Sequence, residues 1–175
     1  MSAIVIDTNI LLVADGQAPH MSPSCKIECL NRLERSKATE QVVLDHQRII
    51  LEEYGHKLNP SRRPPSPGGV FLKWLLVNQC NPQHTAMVSL TPLDAAKTRF
   101  AEFPRDATLE RVFDPSDRKF VSAAHSHPEK PPILECSDSK WLGWEARLQV
   151  HGIRLEILCR CELEVIRRRN TGPAA

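Results

Sequence analysis

No apolar run in the 175 residues approaches the ~20 needed to cross a bilayer. The opening stretch Ala3-Ile4-Val5-Ile6 meets Asp7 at once, without the basic start and longer apolar centre of a secretory signal. Together these absences predict a cytoplasmic chain with no membrane partner. Six cysteines are present but no Cys-x-x-Cys pair. Cys25 and Cys29 are four apart, Cys159 and Cys161 two apart, and Cys80 and Cys136 are solitary. The spacing typical of structural zinc is therefore missing. In a cytoplasmic chain such residues are expected as reduced thiols in or near the core. Charge of one sign is also lacking: 23 Lys and Arg stand against 21 Asp and Glu, and a net +2 names no partner. There is no internal repeat, no Asn-Gly hairpin signal and no boundary that divides the chain.

What remains is an ordinary globular balance, 41% hydrophobic and 25% charged. This supports one domain over 1–175 with a real core and argues against general disorder. Two basic clusters interrupt the even charge, Arg62-Arg63 in a proline-rich stretch and Arg167-Arg168-Arg169 near the end. Such clusters can meet phosphates or simply be solvated surface.

The β-branched run at 3–6 reads as a buried strand entering a loop. Residues 24–36 place Cys25, Cys29, Leu30 and Leu33 on one helical face, with Ser22 or Ser24 as cap. Residues 41–44 form a second buried strand closed by Asp45, and 47–58 return to helical spacing. Prolines make 59–69 a loop or insertion. A helix is expected over 70–77, a strand over 84–90, and a helix from Pro92 towards Phe103. Leu109 and Val112 are the expected buried anchors of 106–113. A short helix over 116–125, a strand over 133–136, a helix over 140–151 and a strand over 154–159 follow. A closing helix over 162–169 lies in the C-terminal segment 160–175. Alternating strands and helices predict the α/β class, a three-layer α/β/α arrangement with a mostly parallel central sheet.

In such sheets ligands bind outside the carboxyl ends of the strands. Asp7, Asp45 and Asp138 each follow a predicted strand. Asp117 opens a helix and can face the same edge, and Glu53 lies on the helix after the second strand. Two like charges ~4 Å apart repel by about 4 kcal/mol at an effective dielectric of 20. A carboxylate cluster therefore calls for a cation, and oxygen ligands alone suit Mg²⁺ or Mn²⁺. An ion that keeps its waters can supply one as a nucleophile on phosphorus. Each acid also has a plainer reading. Asp7, Asp45 and Asp138 can be turn or cap residues, Asp117 a first-turn acid, and Asp114 a turn former before Pro115. His125 and His127 read as loop histidines, with phosphate or metal binding as the alternative.

The segment Ile4-Val5-Ile6-Asp7-Thr8-Asn9, followed by Ile10-Leu11-Leu12, resembles the opening motif of PIN-domain nucleases. Asp114 to Ala124 resembles that family's third-acid helix. Ile133-Leu134-Glu135-Cys136-Ser137-Asp138 with Trp141 resembles its fourth segment, and Gly152 to Leu158 its last strand. The resemblance runs to about residue 158. It implies a PIN-like fold in which Asp7, Glu53, Asp117 and Asp138 hold one or two Mg²⁺ or Mn²⁺ ions. The second acid falls at Glu53 or its neighbour Glu52. Glu53 is preferred because Tyr54 keeps an apolar residue just after the acid. Asn9 or Thr8, with Ser137, would hold water or the scissile phosphate, and Arg62, Arg63 and Arg118 would position the backbone.

The activity implied is a metal-dependent endonuclease (a ribonuclease by preference) acting by metal-activated water and leaving 5′-phosphate and 3′-hydroxyl ends. RNA is the expected partner, with DNA as the alternative. A toxin, processing or defence role, an antitoxin or other regulatory protein, and a homodimer are all compatible with the family. A PIN-like domain that only binds nucleic acid or protein is the non-enzymatic rival. An aspartyl phosphatase would want a second Asp where Asn9 stands. A receiver-type domain would want a Lys better placed than Lys140. The long stretches 59–69 and 90–113 exceed a minimal domain and suggest a lid, clamp or partner surface.

Overall fold

Four of the five residues of β1 (Ser2–Ile6) are buried, as expected of a strand covered on both faces. The computed structural model describes residues 1–58 and 63–171. After β1 come α1 (Thr8–Ala14), α2 (Pro23–Thr39), β2 (Glu40–Asp45), α3 (Ile49–Lys57), α4 (Pro67–Asn78) and β3 (Thr85–Val88). The second half holds α5 (Ala107–Val112), a 3-10 turn (Pro115–Asp117), α6 (Arg118–Ser126), β4 (Ile133–Glu135), α7 (Trp141–Val150), β5 (Leu155–Ile157) and α8 (Arg160–Thr171).

The five strands form one all-parallel sheet in the order β3-β2-β1-β4-β5. Ile4 pairs with Val42 on one side of β1, and Val5 and Ile6 pair with Ile133 and Leu134 on the other. With helices on its faces the sheet is the middle layer of an α/β/α arrangement. The α/β class expected from the sequence is what the chain adopts. Strand order reverses at β1, so the chain leaves it towards β2 and later returns on its other side as β4. The crevice outside the carboxyl ends of β1 and β4 is where such a sheet binds ligands.

Local chemistry starts the elements. Ser22 Oγ accepts the Cys25 N–H and Pro23 opens α2, whose first turn needs no amide hydrogen there. Asp45, buried at the end of β2, accepts the N–H groups of Ile49 and Ile50 at 2.9 Å each. It is a cap. Tyr54 reaches from α3 to donate its hydroxyl to the Ile6 carbonyl, fixing the strand end immediately before Asp7. The packed face of α6 lies on β1, β2 and β4 through residues such as Phe120 and Val121. Phe113 meets the edge of Trp141 and stacks tilted on Trp144, making the aromatic part of the core.

Several sequence expectations are corrected. Residues 67–69 of the proline-rich segment are the first turn of α4, because Pro67 sits where a helix needs no N–H and Ser66 caps it. No helix runs from Pro92 to Phe103. Asp94 captures the N–H and hydroxyl of Thr98, Lys97 takes a left-handed φ of 53°, and Pro92 bridges antiparallel to Phe100. In α5 Leu109 is buried as expected, but Val112 is 48% exposed, and Phe113 takes its place in the core.

The loop expected at Thr8 is already α1, with Asp7 as its cap. The cysteines also depart from expectation. Cys25 and Cys159 form a disulfide with Cα atoms 5.7 Å apart, and Cys80 and Cys161 are exposed, so only Cys29 and Cys136 are buried free thiols. The spacing rule missed the bridge because its cysteines are 134 residues apart and only the fold brings Cys159 to the first turn of α2. Arg62 lies outside the described residues.

Candidate active site

Asp7 ends β1 and caps α1, so its position follows from two elements at once. Its N–H donates to the Leu134 carbonyl at 3.0 Å, and its Oδ1 accepts the Asn9 N–H at 2.8 Å. Its Oδ2 is buried and has no hydrogen-bond partner. Asp7 lines a cleft of about 430 Å³ at the carboxyl edge of the sheet. Glu53, Asp117 and Asp138 line the same cleft, with Thr8, Asn9 and Ser137. The four acids singled out from the sequence thus share one cavity rather than separate surfaces. Asp114, Lys57, Lys140 and His20 complete much of its rim.

Each acid is placed by its own element. Glu53 comes from the middle of α3, where its Oε1 accepts the Thr8 hydroxyl at 2.7 Å and its Oε2 the Lys119 ammonium. Glu52, one residue earlier, points into an adjoining surface cleft and pairs with Lys97 at 3.3 Å. Asp117 closes the 3-10 turn and takes the Ser116 hydroxyl at 3.1 Å. Asp138 follows β4, and its Oδ1 accepts the Lys140 N–H at 2.9 Å. Lys140 in turn reaches Asp114 at 3.2 Å.

A fifth acid was read in the sequence only as part of a strand. Glu135, fully buried in β4, accepts the N–H groups of Ser137 and Asp138 at 2.7 Å each. It also takes the Asn9 side-chain amide at 3.2 Å. Its signal was available, since an acid inside an otherwise apolar run needs a partner or a purpose. Lys119 was missed for a different reason. Only 5% exposed, it binds Glu53 and the Ser116 carbonyl, and nothing in the α6 periodicity marks it.

The electrostatics match this crowding. Burial pushes the Asp7 carboxyl well above the usual range, and the charges of Glu135 and Asp117 push it further. Burial, then Asp114 and Asp138, raises Asp117 to about 6. Burial raises Glu135 to about 7 against the backbone N–H groups of Asp138 and Ser137, which lower it. Tyr54 is pushed well up by burial and then by Asp7, Glu53 and Asp45. Asp114 behaves differently: burial acts upward, but Ser116 and Lys140 hold it below its ordinary value.

Other candidates lie elsewhere. Arg118 packs its guanidinium 5.5 Å from the Phe103 ring centroid and donates to the Glu110 and Phe113 carbonyls, away from the acids. Arg63 is exposed and is not part of the cleft wall. His125 bonds the Glu102 carbonyl at 2.9 Å, and His127 accepts the Glu129 N–H at 3.2 Å. Both are held by backbone.

The acids, Thr8, Asn9 and Ser137 give the cleft mainly oxygen donors, which suit a hard divalent ion, and the Asp7 oxygen is the one left without a hydrogen-bond partner. Among the described residues, the one trio of ligating atoms within 4.8 Å of one another is Cys25, Cys159 and Glu162. Its sulfurs are already bonded to each other. No three carboxylates of the cleft are that close, so an ion there would complete its shell with water, as Mg²⁺ commonly does. Among the described residues no helix is long and apolar enough to cross a membrane. No protein-family model, curated protein or solved structure matches the chain.

Proposed function

We propose that this chain is a metal-dependent endonuclease of the PIN type, hydrolysing phosphodiester bonds with Mg²⁺ or Mn²⁺ and preferring RNA. The observation that carries the reading is the buried, unpartnered Oδ2 of Asp7 in a cleft it shares with Asp117 and Asp138. A buried carboxylate oxygen without a donor, beside other carboxylates, is costly unless a cation meets it.

Bound there, a divalent ion would supply an activated water and positive charge for the phosphate oxygens. Asp7 would hold it, with Asp117 and Asp138 reaching it through its waters. Asn9 and Glu135 fix the loop between β4 and α7, so Asp138 keeps its place relative to Asp7. Lys57 and Lys140 on the rim offer ammonium groups to the phosphates that flank the scissile bond.

A cytoplasmic location accords with an RNA substrate. The Cys25–Cys159 bridge speaks the other way, since structural disulfides are rare in that compartment. The preference for RNA over DNA, and a regulatory protein or second copy as partner, rest on the family resemblance.

The test is a cleavage screen over single-stranded RNA, structured RNA and flapped DNA with Mn²⁺ or Mg²⁺, with and without chelator. Asp7→Asn serves as control. Cleavage that stops on chelation and in Asp7→Asn is expected. A chain that cuts none of these yet binds one of them is the non-catalytic rival.

A further inference from the structure

The acids of the cleft fall into two groups by what already holds them. Glu53 has both oxygens engaged by side chains, Oε1 by Thr8 and Oε2 by Lys119. Asp7 keeps one oxygen with no partner, while Asp117 and Asp138 each accept through Oδ1. We propose that Lys119 is a built-in cation that reserves Glu53, so that the cleft takes a single divalent ion at Asp7, which Asp117 and Asp138 reach through its bound waters. This rests on the metal-dependent reading above.

The argument is one of occupancy. A lysine only 5% exposed is expensive unless its charge is paired, and Lys119 is paired twice, with Glu53 and with the Ser116 carbonyl. Its nitrogen also lies 5.0 Å from the Phe120 ring centroid, on the packed side of α6. The charge is therefore fixed by the fold. A two-ion site needs the metals ≈ 3.5–4 Å apart, with carboxylates to hold the second. Glu53 lines the same cleft as Asp7, and Thr8 bonds one of its oxygens. Lys119 already occupies the other. One ion plus one ammonium then replaces a pair of ions, and Glu53 acts as a positioning residue that holds Lys119 rather than as a ligand.

The proposal is tested on the full chain by titrating Mn²⁺ and following the free ion by electron paramagnetic resonance. One bound Mn²⁺ per chain is expected. Glu53→Gln should keep its affinity within about ten-fold, while Asp7→Asn should lose about 100-fold or more. Lys119→Met, which frees Oε2 of Glu53, should raise the count to two.

Two ions on the unaltered chain, or equal losses in Glu53→Gln and Asp7→Asn, overturn the proposal. A count that stays at one in folded Lys119→Met also overturns it. If Lys119→Met fails to fold by circular dichroism, the unaltered count and Glu53→Gln still decide. No Mn²⁺ bound by the unaltered chain would sink the metal-dependent reading itself, and this inference with it.

Discussion

Asn9, in the first turn of α1, donates its side-chain amide to the buried carboxylate of Glu135 at the end of β4, 3.2 Å away and 126 residues later in the chain. The contact spans the point where strand order reverses and joins the two halves of the acidic cleft. Glu135 also gathers two backbone N–H groups, so its removal would strand three donors at once. Glu135→Ala is expected to cost about 3 kcal/mol in urea unfolding, since each unsatisfied buried donor costs about 1–3 kcal/mol and water relieves part of it. Glu135→Gln keeps an acceptor and removes a charge that repels Asp7, so it should cost clearly less. Equal losses in the two variants would assign the effect to packing.

Asp7 should carry a cost in the metal-free chain. Its carboxyl is pushed up by burial and by Glu135 and Asp117, and Asn can still cap α1. Without divalent ions Asp7→Asn is therefore expected to melt above the unaltered protein. With Mn²⁺ the order should reverse, because binding to the folded state stabilises it by mass action. Thermal melts with Mn²⁺ and with chelator check both halves. A variant that melts lower without metal and gains as much from Mn²⁺ would remove Asp7 from the centre.

Acid sensitivity should come from outside the cleft. Asp106 caps α5 through the N–H groups of Thr108 and Leu109 and pairs with Arg147 and His151 near the end of α7. Arg147 first, then His151, holds its carboxyl well below the ordinary range. A depressed folded value stabilises the chain above the unfolded carboxyl pKa of ≈ 3.9 and is lost as pH falls through the folded value. Between about pH 4 and pH 2 the urea midpoint should fall more steeply for the unaltered chain than for Asp106→Asn. Parallel slopes would count against this ion pair.

Lys57 is exposed and lines both the acidic cleft and the adjoining one that holds Glu52 and Lys97. Lys57→Ala should weaken nucleic-acid binding about equally across sequences and lower the salt slope by about 1. Fluorescence anisotropy over a salt series reads both. An unchanged slope would mean that the strand takes another path. Arg118→Ala should instead act on stability, because its guanidinium is spent on Phe103 and two carbonyls.

The parts that were legible in the sequence are those set by near neighbours. A β-branched run ending in Asp7 wrote its own strand, Ser22 was one of two readable caps for α2, and Asp45 was readable as a cap. The α/β alternation then placed strand-end acids on one edge. What stayed hidden depends on pairs far apart in the chain. Lys119 meets Glu53 across 66 residues, and Cys25 meets Cys159 across 134. Pro92 misled because proline suits a helix start and a turn equally, and Asp94 decided the matter by taking the Thr98 amide. Glu135 was hidden by its own strand, whose apolar neighbours drew attention to the core.

The bridge between Cys25 and Cys159 closes the polypeptide between them into a ring, from which the segments before Cys25 and after Cys159 hang as tails. Asp7 hangs on the first tail, while Glu53, Asp117 and Asp138 all lie within the ring. A protease that nicks any bond between those cysteines therefore opens the circle without releasing a fragment. The two pieces travel as one species until a reductant parts them.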